Sequence, residues 1–135
     1  MKKLIGRKEY ISFPDFGLQR VNAKIDTGAY TSSLHCSSVK EKMKDGVLKL
    51  RVNFHDSEDA LISVFFDDFE KTKVKSSTGV SQERYLVNLR VKLGTKIYKT
   101  PITLANRSEM KCPVLIGRKL LHKRFIVDVS QQFIL

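Results

Sequence analysis

An aspartate stands where an apolar segment meets a loop, in the run Ala23-Lys24-Ile25-Asp26-Thr27-Gly28-Ala29. A strand ending at Asp26 would hold its carboxylate rigidly for acid–base chemistry. Thr27 can hydrogen-bond the backbone, and Gly28 permits close backbone approach. The alternative is an ordinary β-turn in which Asp26 only binds its own backbone. The tripeptide Asp-Thr-Gly alone favours the turn.

A second segment near the C-terminus favours the catalytic interpretation of Asp26 over the ordinary turn. The run Pro113-Val114-Leu115-Ile116-Gly117-Arg118-Lys119-Leu120-Leu121 predicts a buried strand, a glycine and a short helix. In order and separation the two segments resemble one subunit of a retropepsin-type aspartic protease. The whole chain is similar to a bacterial branch of that group, often described as ATP-dependent zinc proteases and associated with RimK-type ATP-grasp ligases. The matching blocks, in order, are Ile5–Arg7, Ala23–Ala29 with Thr31–His35, Ser76–Gly79 with Glu83 and Arg84, Pro113–Arg118, and Phe125–Ser130.

The resemblance implies a role for each matching residue. Asp26 corresponds to the catalytic aspartate. Thr27 and Gly28 correspond to the residues that brace it, with Thr27 reaching across to a second subunit. The other implied positions are the active-site supports Ala29, Gly117 and Arg118, and a substrate-covering flap over 75–84 that includes Ser77, Thr78, Gly79 and Arg84.

The sequence departs from the family pattern directly after the Asp-Thr-Gly-Ala run. In typical retropepsins acidic residues follow, and one of them pairs with the arginine after the later glycine. Here Tyr30 and Thr31 follow instead, so Arg118 is expected to have another partner or to face substrate. Tyr30 and Thr31 are therefore candidate substrate-binding residues. His35, just beyond the loop, is either a cleft residue or a satisfied structural histidine.

The chain supplies one Asp-Thr-Gly, whereas aspartic proteases use two carboxylates that share one proton. Ser77-Thr78-Gly79 resembles a second copy but carries no carboxylate. An active enzyme of this type is therefore expected to be a symmetric homodimer with one Asp26 from each subunit at the two-fold axis. The pair would titrate as a unit.

Other side chains that could take part in catalysis or bind a metal also have structural interpretations. Asp128, in an apolar strand, is either a second catalytic acid or, as buried carboxylates usually are, paired with a cation. Cys36 and Cys112 lack metal-ligand spacing and are predicted to be buried and reduced, although sequence does not exclude a disulfide. There is no zinc-binding motif and no G-x-x-x-x-G-K-[ST] run, so we expect no metal, no nucleotide and no other cofactor.

The elements that position these residues are strands. Leu48, Leu50, Val52 and Phe54 alternate with polar residues after the hairpin signal Asp45-Gly46. Many short strands with turns between them predict an all-β barrel or sandwich. The resemblance implies a retropepsin-like closed barrel with one short C-terminal helix, in a single domain over 1–135. The predicted elements are strands at Leu4–Phe13, Leu18–Ile25, Val47–Phe54, Leu61–Phe66, Tyr85–Leu93, Ile97–Leu104, Pro113–Ile116 and Phe125–Val129, and a helix within Gly117–Phe125.

Composition limits the location and the partners. The chain has 135 residues and a formal net charge of +11, which suits one basic domain. The sequence contains no run of about 20 apolar residues, so no membrane span is predicted. Lys2 and Lys3 precede no apolar signal-peptide segment, so a cytoplasmic location is expected, although a trimmed precursor would look the same. The charge suits a solvated surface, an acidic polypeptide or, second to these, ribosomal RNA, for which no binding motif is present.

Two functions from different classes follow. The first is a homodimeric aspartic endopeptidase. Because RimK-type ligases add glutamates to protein tails, the resemblance suggests acidic or glutamate-modified substrates. The second is a non-catalytic basic β-barrel that binds an ATP-grasp ligase, a ribosomal protein or another polyanion, since a fold does not guarantee its ancestral chemistry.

Overall fold

The computed structural model describes residues 1–75, 79–106 and 111–135. These residues form strands almost throughout, as the period-two patterns predict. The elements are β1 (Lys3–Gly6), β2 (Lys8–Phe13), β3 (Leu18–Ile25), β4 (Ser32–His35), β5 (Ser38–Lys44), β6 (Val47–His55), β7 (Leu61–Phe66), β8 (Glu70–Lys75), β9 (Ser81–Leu93), β10 (Lys96–Ala105), β11 (Val114–Ile116), α1 (Arg118–Leu121) and β12 (Phe125–Asp128).

Six strands close into a barrel. Their order is β10-β4-β11-β3-β2-β9, and pairing of β9 with β10 completes the circle. Alternate side chains of these strands fill the interior, as Leu89, Val91, Ile102 and Leu104 show. The expected all-β, retropepsin-like closed barrel with one short helix is confirmed.

The N-terminal segment differs from the single predicted strand over 4–13. It is divided at Arg7 into β1, which pairs parallel with β12, and β2, which joins the barrel. Gly6 lies at the division, where a Cβ atom would stand 2.7 Å from the Gln131 carbonyl oxygen. The buried Glu9 carboxylate accepts hydrogen bonds from the amides of Gly6, Ile134 and Leu135. Long-range contacts of this kind divide the strand, and the local pattern contains no sign of them.

A separate three-stranded sheet has the order β5-β6-β7. Its first turn is Asp45-Gly46, where φ is +54° and +77°, as a two-residue type I′ hairpin requires. The hairpin prediction is therefore confirmed. Three strands were not predicted, namely β4, β5 and β8. In β5 and β8 polar side chains occupy nearly every position, so these strands lack the alternation that marks a half-buried strand.

The helix is shorter than the predicted range. It covers only Arg118–Leu121 and buries Leu120 and Leu121. Lys123 has a φ of +63°, which ends helical geometry before β12 begins. In the described part of the chain, no helix has the length and apolar character needed to cross a bilayer.

Candidate active site

Asp26 lies at the end of β3, where the chain leaves the barrel wall. Its amide donates to the Ile116 carbonyl at 2.9 Å, which fixes the loop to β11. The Gly28 amide donates to Asp26 Oδ1 at 2.9 Å, and the Ala29 amide to the Asp26 carbonyl at 3.2 Å. The loop is thus an Asx-type turn, and it also holds a half-buried carboxylate in one orientation. The same hydrogen bonds form the turn and fix the carboxylate, and an acid–base role for Asp26 stays a prediction.

Gly117 packs directly behind this loop. A Cβ atom at this position would lie 2.8 Å from the Tyr30 carbonyl oxygen and 2.9 Å from that of Ala29. The same two carbonyls accept hydrogen bonds from the amides of Lys119 and Arg118, at 2.9 and 2.8 Å. The loop that follows Asp26 therefore satisfies the first amides of α1, which have no partner within the helix.

Two adjacent buried serines of β4 differ in the hydrogen bonding of their hydroxyl groups. Ser32 Oγ accepts the Gly117 amide at 3.1 Å, and the Ser32 carbonyl accepts from Thr103 Oγ1 at 3.3 Å. Ser33 is also buried, but its hydroxyl has no hydrogen-bond partner among the described residues. Ser33 lines the cleft next to its register neighbours Thr103 and Leu115. One hydroxyl thus supports the loop, and the other stands unpaired in the cleft wall.

Arg118 has a partner other than an acid. Its Nη1 donates to the Thr27 carbonyl at 3.0 Å, and its guanidinium lies 5.7 Å from the centre of the Tyr30 ring. Lys119 Nζ lies 5.8 Å from the same ring. The expectation of a different partner is met, because a backbone carbonyl and an aromatic face replace the carboxylate of typical retropepsins.

A cleft of about 710 Å³ opens beside Asp26. It brings together six of the residues singled out from the sequence. These are Asp26, Gly28, Ala29, Tyr30, Thr31 and Arg84. Sequence reasoning missed the contribution of β8 over 72–74, which lines the cleft together with Lys75 and Arg84. The alternation Lys71-Thr72-Lys73-Val74-Lys75 was the available signal, but it suits a basic surface run equally well.

The described residues of the segment matching the flap continue two paired strands that lie beside the cleft. Strands β8 and β9 pair antiparallel as far as Lys75 and Ser81. Gly79, between them, has a φ of +85°, and a Cβ atom there would meet nothing within 4 Å, so it has the freedom a loop tip requires. Ser77 and Thr78, also predicted for the flap, lie outside the described residues.

Two candidates lie elsewhere. His35 lines a separate pocket of about 160 Å³ together with His55 and Pro113, and it is not among the described residues lining the Asp26 cleft. Asp128 accepts hydrogen bonds from the amide and hydroxyl of Ser130 and from Gln131 Nε2. The Ser130 hydrogen bonds, followed by that of Gln131, lower the pKa of Asp128. The expected cation partner is replaced by these turn donors.

Both cysteines are buried, which agrees with the structural interpretation. Burial raises the pKa of Cys36 to about 11. Across the described ranges, no group of three or more His, Cys, Asp or Glu side chains could hold a metal ion. The expectation of a metal-free protein stays a prediction.

Comparison with known proteins places the chain in a family. Residues 4–135 match the family model RimB-like, described as retropepsin-like aspartic endopeptidase RimB. The chain therefore belongs to this family.

Its curated relatives include two proteins named probable alpha-L-glutamate ligase. That of Desulfotalea psychrophila (strain LSv54 / DSM 12343) is 31% identical over 97% of this chain. That of Shewanella pealeana (strain ATCC 700345 / ANG-SQ1) is 29% identical over 99% of this chain. The chain spans only 29% and 30% of the lengths of these two relatives.

A solved structure shares the architecture. It is that of a protein of unknown function from Legionella pneumophila subsp. pneumophila str. Philadelphia 1. The TM-score is 0.80 at 27% sequence identity, covering 99% of this chain and 98% of that one. The similarity therefore extends over nearly the whole of both chains.

Proposed function

We propose that this protein is an aspartic endopeptidase that acts as a homodimer. The observation that carries the proposal is the position of Asp26, in a loop braced by Gly117 and opening onto a cleft of about 710 Å³. Membership of the RimB-like family supports the same chemistry. In this proposal Asp26 is catalytic, and Thr27, Gly28, Ala29, Gly117 and Arg118 hold it in place.

Each dimer would contain one pair of Asp26 carboxylates sharing one proton. The ionised carboxylate takes a proton from a water molecule, whose oxygen attacks the scissile carbonyl carbon. The protonated carboxyl gives its proton to the carbonyl oxygen. Collapse of the tetrahedral intermediate breaks the C–N bond, and a proton passes to the leaving amine. The dimer is required because each chain supplies one such aspartate.

The substrate would be an acidic or glutamate-modified protein tail. Three cations line the cleft, namely Lys73, Lys75 and Arg84, and Asp26 is the one acidic residue among the described lining residues. A basic cleft attracts anionic substrates. The name of the curated relatives, probable alpha-L-glutamate ligase, supports a connection with glutamate addition and a ligase partner. A ribosomal-protein partner stays a prediction.

The second candidate is a non-catalytic binding module. It is favoured by Tyr30 and Thr31, which stand where acidic residues follow the loop of typical retropepsins, and by Arg118, whose partner is the Thr27 carbonyl. This function predicts a salt-sensitive complex with a ligase or ribosomal protein that survives Asp26→Asn. The endopeptidase hypothesis predicts instead that Asp26→Asn abolishes peptide cleavage.

The test combines sedimentation velocity with cleavage of internally quenched oligo-glutamate peptides. Asp26→Asn keeps an oxygen that can accept the Gly28 amide, so the fold is expected to persist while cleavage is lost. Asp128→Asn is the matched control, because it makes the same chemical change away from the cleft and should leave cleavage unchanged. A strict monomer at every concentration, or full activity in Asp26→Asn, would contradict the proposal.

A further inference from the structure

The two faces of the β5–β6 hairpin differ sharply. One face carries Leu50, Val52 and Phe54, which are fully buried. On the opposite face the register places Lys40 opposite Arg51 and Lys42 opposite Lys49. Lys44 continues the row on β5. We call this set of five cations the basic sheet face: Lys40, Lys42, Lys44, Lys49 and Arg51.

Like charges directly opposite each other on paired strands destabilise a sheet. Two such pairs stand side by side here, and little compensates them. Lys49 forms an ion pair with Asp67 at 3.0 Å, and Arg51 Nε donates to the neutral Ser63 hydroxyl at 3.2 Å. Among the described residues, Lys40 and Lys42 have no ion-pair partner. The hairpin therefore keeps a repulsive arrangement that a single substitution would relieve.

Protection of a sheet edge explains only half of this charge. β5 is an edge strand, and lysines on an edge discourage pairing with another chain. Lys49 and Arg51, however, lie on β6, which is the central strand of the sheet and has no free edge. Their position opposite lysines calls for another reason.

We propose that the basic sheet face is a docking surface for an acidic polypeptide segment in extended conformation. Lys40, Lys42 and Lys44 repeat every second residue, about 6.7 Å apart along the strand. An extended polypeptide with alternating acidic residues presents carboxylates at the same period. Charge complementarity and matching spacing thus select the same partner.

The neighbours of the face favour a polypeptide over a nucleic acid. Val47 lies opposite Lys44, and Leu61 occupies the same face of β7, so apolar side chains accompany the cations. The aromatic ring on this face, Phe65, has Lys44 Nζ 4.2 Å from its centre. One face of the ring is therefore occupied by a lysine, which leaves less of the ring for stacking of bases. Apolar contacts would instead receive the uncharged residues between the acids.

The surface is separate from the Asp26 cleft. None of its five cations lines that cleft. Glu41, whose side chain lies on the opposite face of β5, accepts a hydrogen bond from the Tyr85 hydroxyl at 2.9 Å and pairs with Lys71 at 3.3 Å. The side of β5 that carries Glu41 thus faces β8 and β9, and the basic sheet face points away from them. Docking here does not depend on the proposed peptidase activity.

The experiment measures binding of a fluorescein-labelled peptide of alternating glutamate and threonine by fluorescence anisotropy. All variants carry Asp26→Asn, so that cleavage does not interfere. Lys42→Glu is expected to raise Kd about five- to tenfold, because it replaces an attraction by a repulsion. The same change should leave the thermal midpoint unchanged or raise it by about 2 °C, since it creates an opposite-charge pair with Lys49. A merely structural lysine would not couple weaker binding to equal or higher stability.

Two further variants make the same charge change elsewhere. Lys92→Glu, at an exposed position of β9, is the matched control and should leave Kd nearly unchanged, whereas Lys73→Glu tests the cleft, the other basic site. If Lys92→Glu weakened peptide binding as much as Lys42→Glu does, the effect would come from net charge alone. If Lys73→Glu weakened binding and Lys42→Glu did not, the peptide would bind in the cleft. Either result overturns the proposal. So would failure of the parent protein to bind the peptide, or tighter binding of a single-stranded oligouridylate.

Discussion

The Gly117 amide donates to Ser32 Oγ at 3.1 Å, and this hydrogen bond joins the turn before α1 to β4 behind the Asp26 loop. The glycine has no room for a side chain on its other side, because the Tyr30 carbonyl oxygen would lie 2.8 Å from a Cβ atom. The position of Asp26 thus depends on two residues that do not touch its carboxylate.

Gly117→Ala is expected to lower the free energy of unfolding by about 3 kcal/mol, because the added methyl group meets backbone that cannot move aside easily. Urea denaturation measures the change. Gly28→Ala is the control, since its Cβ would meet only the Asp26 side chain, at 3.2 Å, and should cost less than about 1 kcal/mol. Equal stability of Gly117→Ala and the parent would contradict this account of the loop.

Ser32→Ala and Ser33→Ala remove the same atom from adjacent residues with opposite expected effects. Ser32→Ala leaves the buried Gly117 amide unpaired and should cost about 1–3 kcal/mol. Ser33→Ala removes a hydroxyl that has no partner among the described residues, so stability should stay the same or rise. Thermal and urea unfolding of both variants decide the point. A stability loss in Ser33→Ala as large as in Ser32→Ala would show that Ser33 has a structural partner.

The lowered pKa of Asp128 predicts that the stability of the fold depends on pH under acidic conditions. Its pKa in the folded state lies below the ordinary value, chiefly through the Ser130 hydrogen bonds. The carboxylate therefore stabilises the fold fully above about pH 4, the unfolded value, and this contribution is lost as pH falls through the folded pKa. The Asp128→Asn variant should show a flatter fall in stability below about pH 4. An NMR titration placing the Asp128 carboxyl at or above its ordinary pKa would refute the assignment.

Cys36 is expected to resist alkylation in the native protein. Burial raises its pKa to about 11, so almost no thiolate is present at pH 8 and the sulfur is covered. Iodoacetamide should modify it only after unfolding in urea. Mass spectrometry of a Cys112→Ser background isolates the Cys36 signal. Rapid labelling of the native protein would contradict the burial.

Much of the barrel was predictable because its strands are half-buried and alternate clearly, as in the segment ending at Leu93. The Asp45-Gly46 hairpin was predictable because both residues tolerate positive φ. The Asp26 loop was found because resemblance joined it to the distant Gly117 segment. The assignment of a catalytic role to Asp26 remains a prediction.

The features that could not be predicted depend on contacts between residues far apart in the sequence, and no local sequence pattern indicates such contacts. Glu9 is charged yet buried, because amides from the far end of the chain satisfy its carboxylate. The polar strand β8 lacks an apolar period, although it lines the cleft. The opposition of Lys42 and Lys49 exists only once the hairpin register is known. Pairing across the sheet, rather than composition, creates each of these features.

The parallel pairing of β1 with β12 bears on how the protein is made. Lys3 pairs with Phe125, 122 positions later, so β1 has no partner until β12 has been synthesised. At typical elongation rates of about 5–20 residues per second, that delay lasts roughly 6 to 24 s. Throughout it Ile5, fully buried in the finished fold, is exposed to water and to other chains. Growing chains of this protein therefore carry an unpaired apolar strand that chaperones acting during synthesis are suited to cover.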